Sequence, residues 1–93
     1  MGNEKYYENF RTNLKLLREY HGMTLRELGE KIGCTPQYIH VLESYSHKFP
    51  PIEKLIKIAG ALDTTPGRLL DVNHEEITDI TRRLVVEYFL PKK

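Results

Sequence analysis

Gly29 and Gly33 constrain this chain more than any other feature, because both lie inside the stretch 25–42, LRELGEKIGCTPQYIHVL. Counted from Leu25, the residues Leu28, Ile32, Cys34, Ile39 and Leu42 fall where two short helices crossing at a steep angle must share a small apolar core. Gly29 lacks a side chain where the second helix has to pass close to the first. Gly33 sits where the turn favours a left-handed backbone, which costs a residue bearing a Cβ about 1 kcal/mol or more.

The flanking sequence supplies the elements such a pair needs. Phe10, Leu14, Leu17 and His21 fall on one helical face, with Arg11, Lys15 and Arg18 interleaved, so an amphipathic helix is expected from about Tyr7 to Tyr20, stopped by Gly22. Thr24 and Glu27 have the spacing of a capping box and open a second helix running to Ile32. Thr35 caps a third helix, with Pro36 at its first position, and that helix is expected to end near Ser44.

Tyr45 to Pro50 reads as a loop. From about Pro51, the residues Ile52, Leu55, Ile56, Ala59 and Leu62 give a helical face ending at Asp63, a residue type that tolerates the left-handed position often taken by glycine. Thr65 and Pro66 then open a short helix that carries Leu69 and Leu70. The expected fold is all-α: five helices around one core.

From His74 to Leu90 two readings stand. Ile77, Ile80, Leu84 and Tyr88 make a heptad-like helical stripe, widened by Val85, Phe89 and Leu90. The run 84–90 is also β-branched and aromatic enough for a strand, although a lone edge strand needs a partner the rest of the chain does not offer. Helix is the preferred reading. Its apolar face either completes the monomer core or forms a surface for self-association or a partner.

Length and composition set the outer bounds. At 93 residues the chain is one domain, and its 29% charged and 40% hydrophobic residues place it with globular proteins. No apolar run approaches the roughly 20 residues that span a bilayer. The opening MGNEKYYENF has neither the apolar region of a signal peptide nor the Ser or Thr a myristoylation signal needs where Tyr6 stands. No membrane association and a cytoplasmic location are therefore expected. Cys34 is the single cysteine, read as a buried, inert thiol.

The motif around the two glycines resembles the Xre-type, phage-repressor-like helix-turn-helix proteins, and the likeness covers about Phe10 to Leu70. It implies a DNA-binding domain over residues 1–72, followed by a C-terminal apolar segment over 73–93. It also implies that the third helix enters the major groove of double-stranded DNA and reads bases from Pro36, Gln37, Tyr38, His40 and Val41. Gln37 suits a bidentate contact to adenine, His40 a guanine acceptor, Val41 a thymine methyl, and Tyr38 a phosphate or sugar. Tyr38 has a second reading, as cover for the edge of the core. Phosphates are expected at Thr24 and at the loop residues Tyr45, Ser46, His47 and Lys48.

The same resemblance makes Arg18 and Glu43 a structural ion pair. Leu25, where the family often has a phosphate-binding glutamine, and Tyr45, where glycine is common, depart from the pattern. The implied biology is a bacterial or phage-type transcriptional regulator, a repressor acting as a homodimer on an inverted-repeat operator, with Ile77, Ile80, Leu84, Val85, Tyr88 and Phe89 as the dimer surface. The alternative is a protein-interaction module of antitoxin or antirepressor type, working through that same C-terminal segment.

Charge is a weak guide, because the formal net charge is only +1. Residues 11–48 carry six Lys or Arg against four Glu, and residues 71–93 carry four against five acidic residues. Other chemistries find little support. His40, His47 and Cys34 lack the spacing of a metal site, and Glu75, Glu76 and Asp79 read as a solvated helix start rather than an acid/base pair. No glycine-rich phosphate loop, nucleophile elbow or cofactor fingerprint occurs. Neither an enzyme nor a bound cofactor is expected.

Overall fold

A computed structural model describes residues 2–44 and 48–71. Five helices occur among them: α1 (Gly2–Tyr20), α2 (Leu25–Ile32), α3 (Pro36–Ser44), α4 (Ile52–Ala61) and α5 (Pro66–Asp71). The described residues are all-α, as the sequence pattern predicts. The C-terminal segment, with its choice between helix and strand and the apolar residues Ile77, Ile80, Leu84, Val85, Tyr88 and Phe89, lies outside them.

The core gathers around α1. Phe10, Leu14 and Leu17 are fully buried there, together with Leu28, Ile39, Leu42, Ile58, Leu62 and Leu69 from the other four helices. α1 packs on α3 and α5, α2 on α3 and α4, and α4 on α5. Each helix thus buries one apolar stripe against at least two neighbours, the arrangement that lets helices this short persist.

Local chemistry sets the boundaries. Gly22 ends α1 at φ 68°, and Asp63 turns the chain after α4 at φ 57°, where the small polar side chain of aspartate reduces the left-handed penalty. Thr35 Oγ1 accepts the Tyr38 N–H at 3.1 Å, and Thr65 Oγ1 accepts the Arg68 N–H at 3.2 Å. Each threonine satisfies a backbone donor that the first turn of its helix leaves unpaired.

Three expectations need correction. α1 begins at Gly2 rather than near Tyr7, because its inward face continues past Phe10. Asn9 is buried, and Tyr7 and Phe10 both meet Phe49, with ring centroids 5.3 and 4.9 Å away. In α4, Ile52 and Ile56 are 63% and 56% exposed, while Ile58 is fully buried. The true stripe is Leu55, Ile58, Ala59 and Leu62, an i, i+3, i+4, i+7 set that is narrower than the expected face. Cys34 is half-buried rather than enclosed, and its Sγ lies 3.9 Å from the Ile32 carbonyl oxygen.

Periodicity also missed two polar residues. Asn9 and Asn13 are buried on α1, and their side-chain amides donate to the carbonyls of Leu70 and Leu69 at 2.8 and 2.9 Å. They satisfy carbonyl acceptors in the last described turn of α5.

The candidate nucleic-acid interface

The turn between α2 and α3 is fixed from both ends. At the start of α2, Thr24 is extended, its hydroxyl accepts the Glu27 N–H at 3.0 Å, and its own N–H donates to the Glu27 carboxylate at 2.8 Å. The Thr24 N–H first, and the Thr24 hydroxyl second, hold the Glu27 carboxyl below its ordinary pKa. At the other end, Gly33 is left-handed at φ 74° and donates to the carbonyls of Glu30 and Gly29. The next residue, Cys34, donates to the Gly29 carbonyl at 2.7 Å.

Gly29 explains how closely the two helices approach. A Cβ there would stand 2.5 Å from the Cys34 carbonyl oxygen and 3.3 Å from the Thr35 carbonyl carbon, both backbone atoms. The turn passes directly over the glycine.

The resulting α3 turns Ile39 and Leu42 into the core. Its outer face carries Gln37, His40 and Ser44, all exposed, with Pro36 and Val41 half-buried. Tyr38 is also half-buried and packs against the core, with the Lys54 ammonium 6.0 Å from its ring centroid. Burial pushes its phenol above the ordinary pKa, the neighbouring Cys34 adds to the shift, and the Lys54 ammonium opposes it. The tyrosine therefore caps the core edge and keeps its hydroxyl protonated near neutral pH.

At its C-terminal end α3 is clamped to α1. Arg18 Nε donates to Glu43 Oε2 at 2.6 Å, and Arg18 Nη2 donates to Glu43 Oε1 at 3.0 Å. Its third nitrogen, Nη1, donates to the Met23 carbonyl at 2.8 Å. The bonds to Glu43 raise the guanidinium's already high pKa, so Arg18 stays charged.

After α3, Lys48 is exposed and Phe49 is wedged between Tyr7 and Phe10. Phe49 thereby anchors the exit of the loop to the core. Tyr45, Ser46 and His47 lie outside the described residues.

The predicted contact residues thus divide. Gln37 and His40 share the outer face of α3, and Pro36 and Val41 flank it. Sequence reasoning passed over Arg26, an exposed cation in the first turn of α2. Together with Leu25, Pro36, Gln37 and His40 it lines an open groove between α2 and α3. The signal available in the sequence was electrostatic: a cation at the positive end of a helix dipole is disfavoured, so its presence calls for another reason. Among the described residues, no cluster of His, Cys, Asp and Glu could hold a metal ion, and no helix is long and apolar enough to cross a membrane.

Two short helices on a glycine turn, with the second presenting a free polar face, define a helix-turn-helix unit. Residues 14–69 match the family model described as Helix-turn-helix, and the chain belongs to that family. It is 36% identical over 62 residues to the HTH-type transcriptional regulator SinR of Bacillus subtilis (strain 168), a match covering 67% of this chain and 56% of SinR. It is 29% identical over 75 residues to an uncharacterized HTH-type transcriptional regulator of the same organism, YobD, covering 81% of this chain and 66% of that protein. Both are named as regulators, and neither name describes an enzyme. The chain thus aligns with less than two thirds of the length of either relative. No solved structure matches it significantly.

Proposed function

We propose that this protein is a sequence-specific double-stranded DNA-binding transcriptional regulator of bacterial or phage type, working in the cytoplasm as a homodimeric repressor. The observation that carries this reading is the pairing of a rigidly held α3 with an exposed polar face. The Arg18–Glu43 clamp and the Gly29 contact fix the helix, while Gln37 and His40 point away from the core. A helix held this way loses little entropy on entering a groove.

In this reading Gln37 makes a bidentate contact to adenine, worth about 1–3 kcal/mol of discrimination. His40 donates to a guanine acceptor, Val41 meets a thymine methyl, and Pro36 makes apolar contact. Tyr38, half-buried, reaches a phosphate or sugar at most. Thr24 and Lys48, with Tyr45, Ser46 and His47, hold the flanking phosphates. So few base contacts imply that DNA shape contributes to selection.

Self-association through Ile77, Ile80, Leu84, Val85, Tyr88 and Phe89 sets two recognition helices about 34 Å apart, matching an inverted repeat with half-sites one turn apart. Occlusion of a promoter by such a dimer gives repression.

The test is selection of bound duplexes from a random-sequence library at about 0.15 M salt. Enrichment of an inverted repeat, lost in the double variant Gln37→Ala/His40→Ala with oligomeric state unchanged, is the expected result. Unchanged operator affinity in that variant overturns the recognition assignment. No enrichment by the wild type, with no binding even at low salt, replaces the regulator reading with that of a protein-interaction module acting through its C-terminal segment.

A further inference from the structure

We infer that the groove between the C-terminal end of α2 and the second half of α4 is a docking surface for an acidic peptide segment of a partner protein. Lys31, Ile32, Gly33, Lys57 and Ala61 line it. Buried Ile32 and half-buried Ala61 form a small apolar floor, and the exposed Lys31 and Lys57 stand on the two helices that wall it. None of the five is assigned above to DNA. The proposal therefore adds a second working surface to the regulator reading and does not depend on it.

Neither lysine is held by a carboxylate. Among the described residues the ion pair formed is that of Arg18 with Glu43, and neither Lys31 nor Lys57 has an acidic partner. Lys31 stands in the last turn of α2, where a cation suits the helix dipole. Lys57 has no such reason, because it lies inside α4, and Glu53, four residues earlier and spaced to pair with it, makes no ion pair. Two ammoniums thus border one groove with no anion between them. A carboxylate entering the groove relieves their repulsion, and such charge complementarity selects acidic partners over basic ones.

The backbone decides which kind of anion fits. The last carbonyls of a helix look past its end and need donors from elsewhere. Among the described residues no backbone N–H reaches the Lys31 carbonyl, and the Ile32 carbonyl has the Cys34 thiol at 3.9 Å. Gly33, where an added Cβ would meet nothing within 4 Å, leaves the space beside them open. The groove therefore offers cationic donors, carbonyl acceptors and an apolar floor together. A phosphate backbone supplies no donor for those carbonyls, whereas a peptide supplies carboxylates, amide N–H groups and an aliphatic side chain. Lys31, Gly33 and Lys57 are all exposed, so a small molecule here would stay largely in water, unlike the ligand of an enclosing pocket. A segment carried on a larger protein surface is not limited in that way.

The test is selection of short peptides from a random display library by the full chain and by its Lys31→Glu/Lys57→Glu variant, followed by titration of the most enriched peptide in synthetic form. Wild type is expected to enrich peptides with two acidic residues beside an aliphatic one, and the variant is expected to lose them. Lys31→Ala/Lys57→Ala should bind the synthetic peptide about 10-fold more weakly. Both lysines are exposed, so the melting temperatures of the variants should stay near that of wild type. In wild type the peptide should shift the amide resonances of Ile32, Gly33 and Ala61, and double-stranded DNA should not displace it. Enrichment without acidic residues, no enrichment at all, or equal affinity in the alanine variant overturns the proposal. So does displacement by DNA, which gives the groove to nucleic acid, and so does an equal response to inorganic phosphate, which makes it a non-selective anion site. A synthetic peptide of residues 71–82 of this chain that binds as tightly as the selected one makes the occupant a second copy and overturns the partner assignment.

Discussion

The guanidinium of Arg18 grips both carboxylate oxygens of Glu43, at 2.6 and 3.0 Å, and ties the last turn of α1 to the last turn of α3. The two side chains are only 12% and 5% exposed, so this is a desolvated pair rather than a surface one. Arg18 also satisfies the Met23 carbonyl in the turn before α2. One residue thus connects α1, the entry to α2 and the exit of α3.

Removing a single partner leaves an uncompensated buried charge. Glu43→Ala is expected to cost about 3–5 kcal/mol, whereas Arg18→Met combined with Glu43→Leu is expected to lie much nearer to wild type. Urea denaturation of the two single variants and the double variant, read as a thermodynamic cycle, checks this. Similar stability for Glu43→Ala and wild type would mean the clamp contributes nothing.

The capping box gives a pH dependence with a definite sign. Glu27 has a lowered pKa in the folded state, so its contribution is fully present above the ordinary carboxylate value and is lost as pH falls through the depressed one. Glu27→Gln removes this ionisation. The stability difference between wild type and that variant is expected at neutral pH and should shrink in acid, as followed by denaturation at a series of pH values. Thr24→Ala removes the hydroxyl cap at every pH and is expected to cost about 1 kcal/mol.

Gly29 and Gly33 are needed for different reasons and should respond differently to alanine. At Gly33 a Cβ meets nothing within 4 Å, so the penalty is that of the left-handed backbone, about 1 kcal/mol. At Gly29 the Cβ runs into the Cys34 carbonyl and must push α3 away from α2. Gly29→Ala is therefore expected to be the more destabilising and also to weaken DNA binding, as measured by thermal melting alongside duplex titration.

The register of α4 can be tested by three substitutions. Ile58→Ala deletes a fully buried side chain and is expected to cost about 2–5 kcal/mol. Ile52→Lys and Ile56→Lys alter exposed positions, and each is expected to change monomer stability by less than about 0.5 kcal/mol. A large loss from either lysine in chemical denaturation contradicts the observed face.

The parts legible in the sequence were those governed by neighbours within one or two turns. Thr24 with Glu27, Thr35 with Pro36, and Gly33 each occupy the place their local chemistry dictates, because a cap or a left-handed turn is decided by three or four consecutive residues. The same holds for the outward placement of Gln37 and His40, which follows once Ile39 and Leu42 are assigned inward on a helix.

Sequence by itself thus determined the order of the helices, the threonine caps at Thr24, Thr35 and Thr65 and the turn geometry of the helix-turn-helix unit, but not where α1 begins. Tertiary structure alone decided which face of α4 is buried, since IEKLIKIAGA offers overlapping apolar stripes and only contact with the neighbouring helices selects the one containing Ile58. It also decided that Asn9 and Asn13 are core residues, serving the Leu70 and Leu69 carbonyls 61 and 56 positions away in the chain. The physical reason is common to both: burial depends on what a surface meets, and contacts between residues so distant in sequence leave no mark on local periodicity.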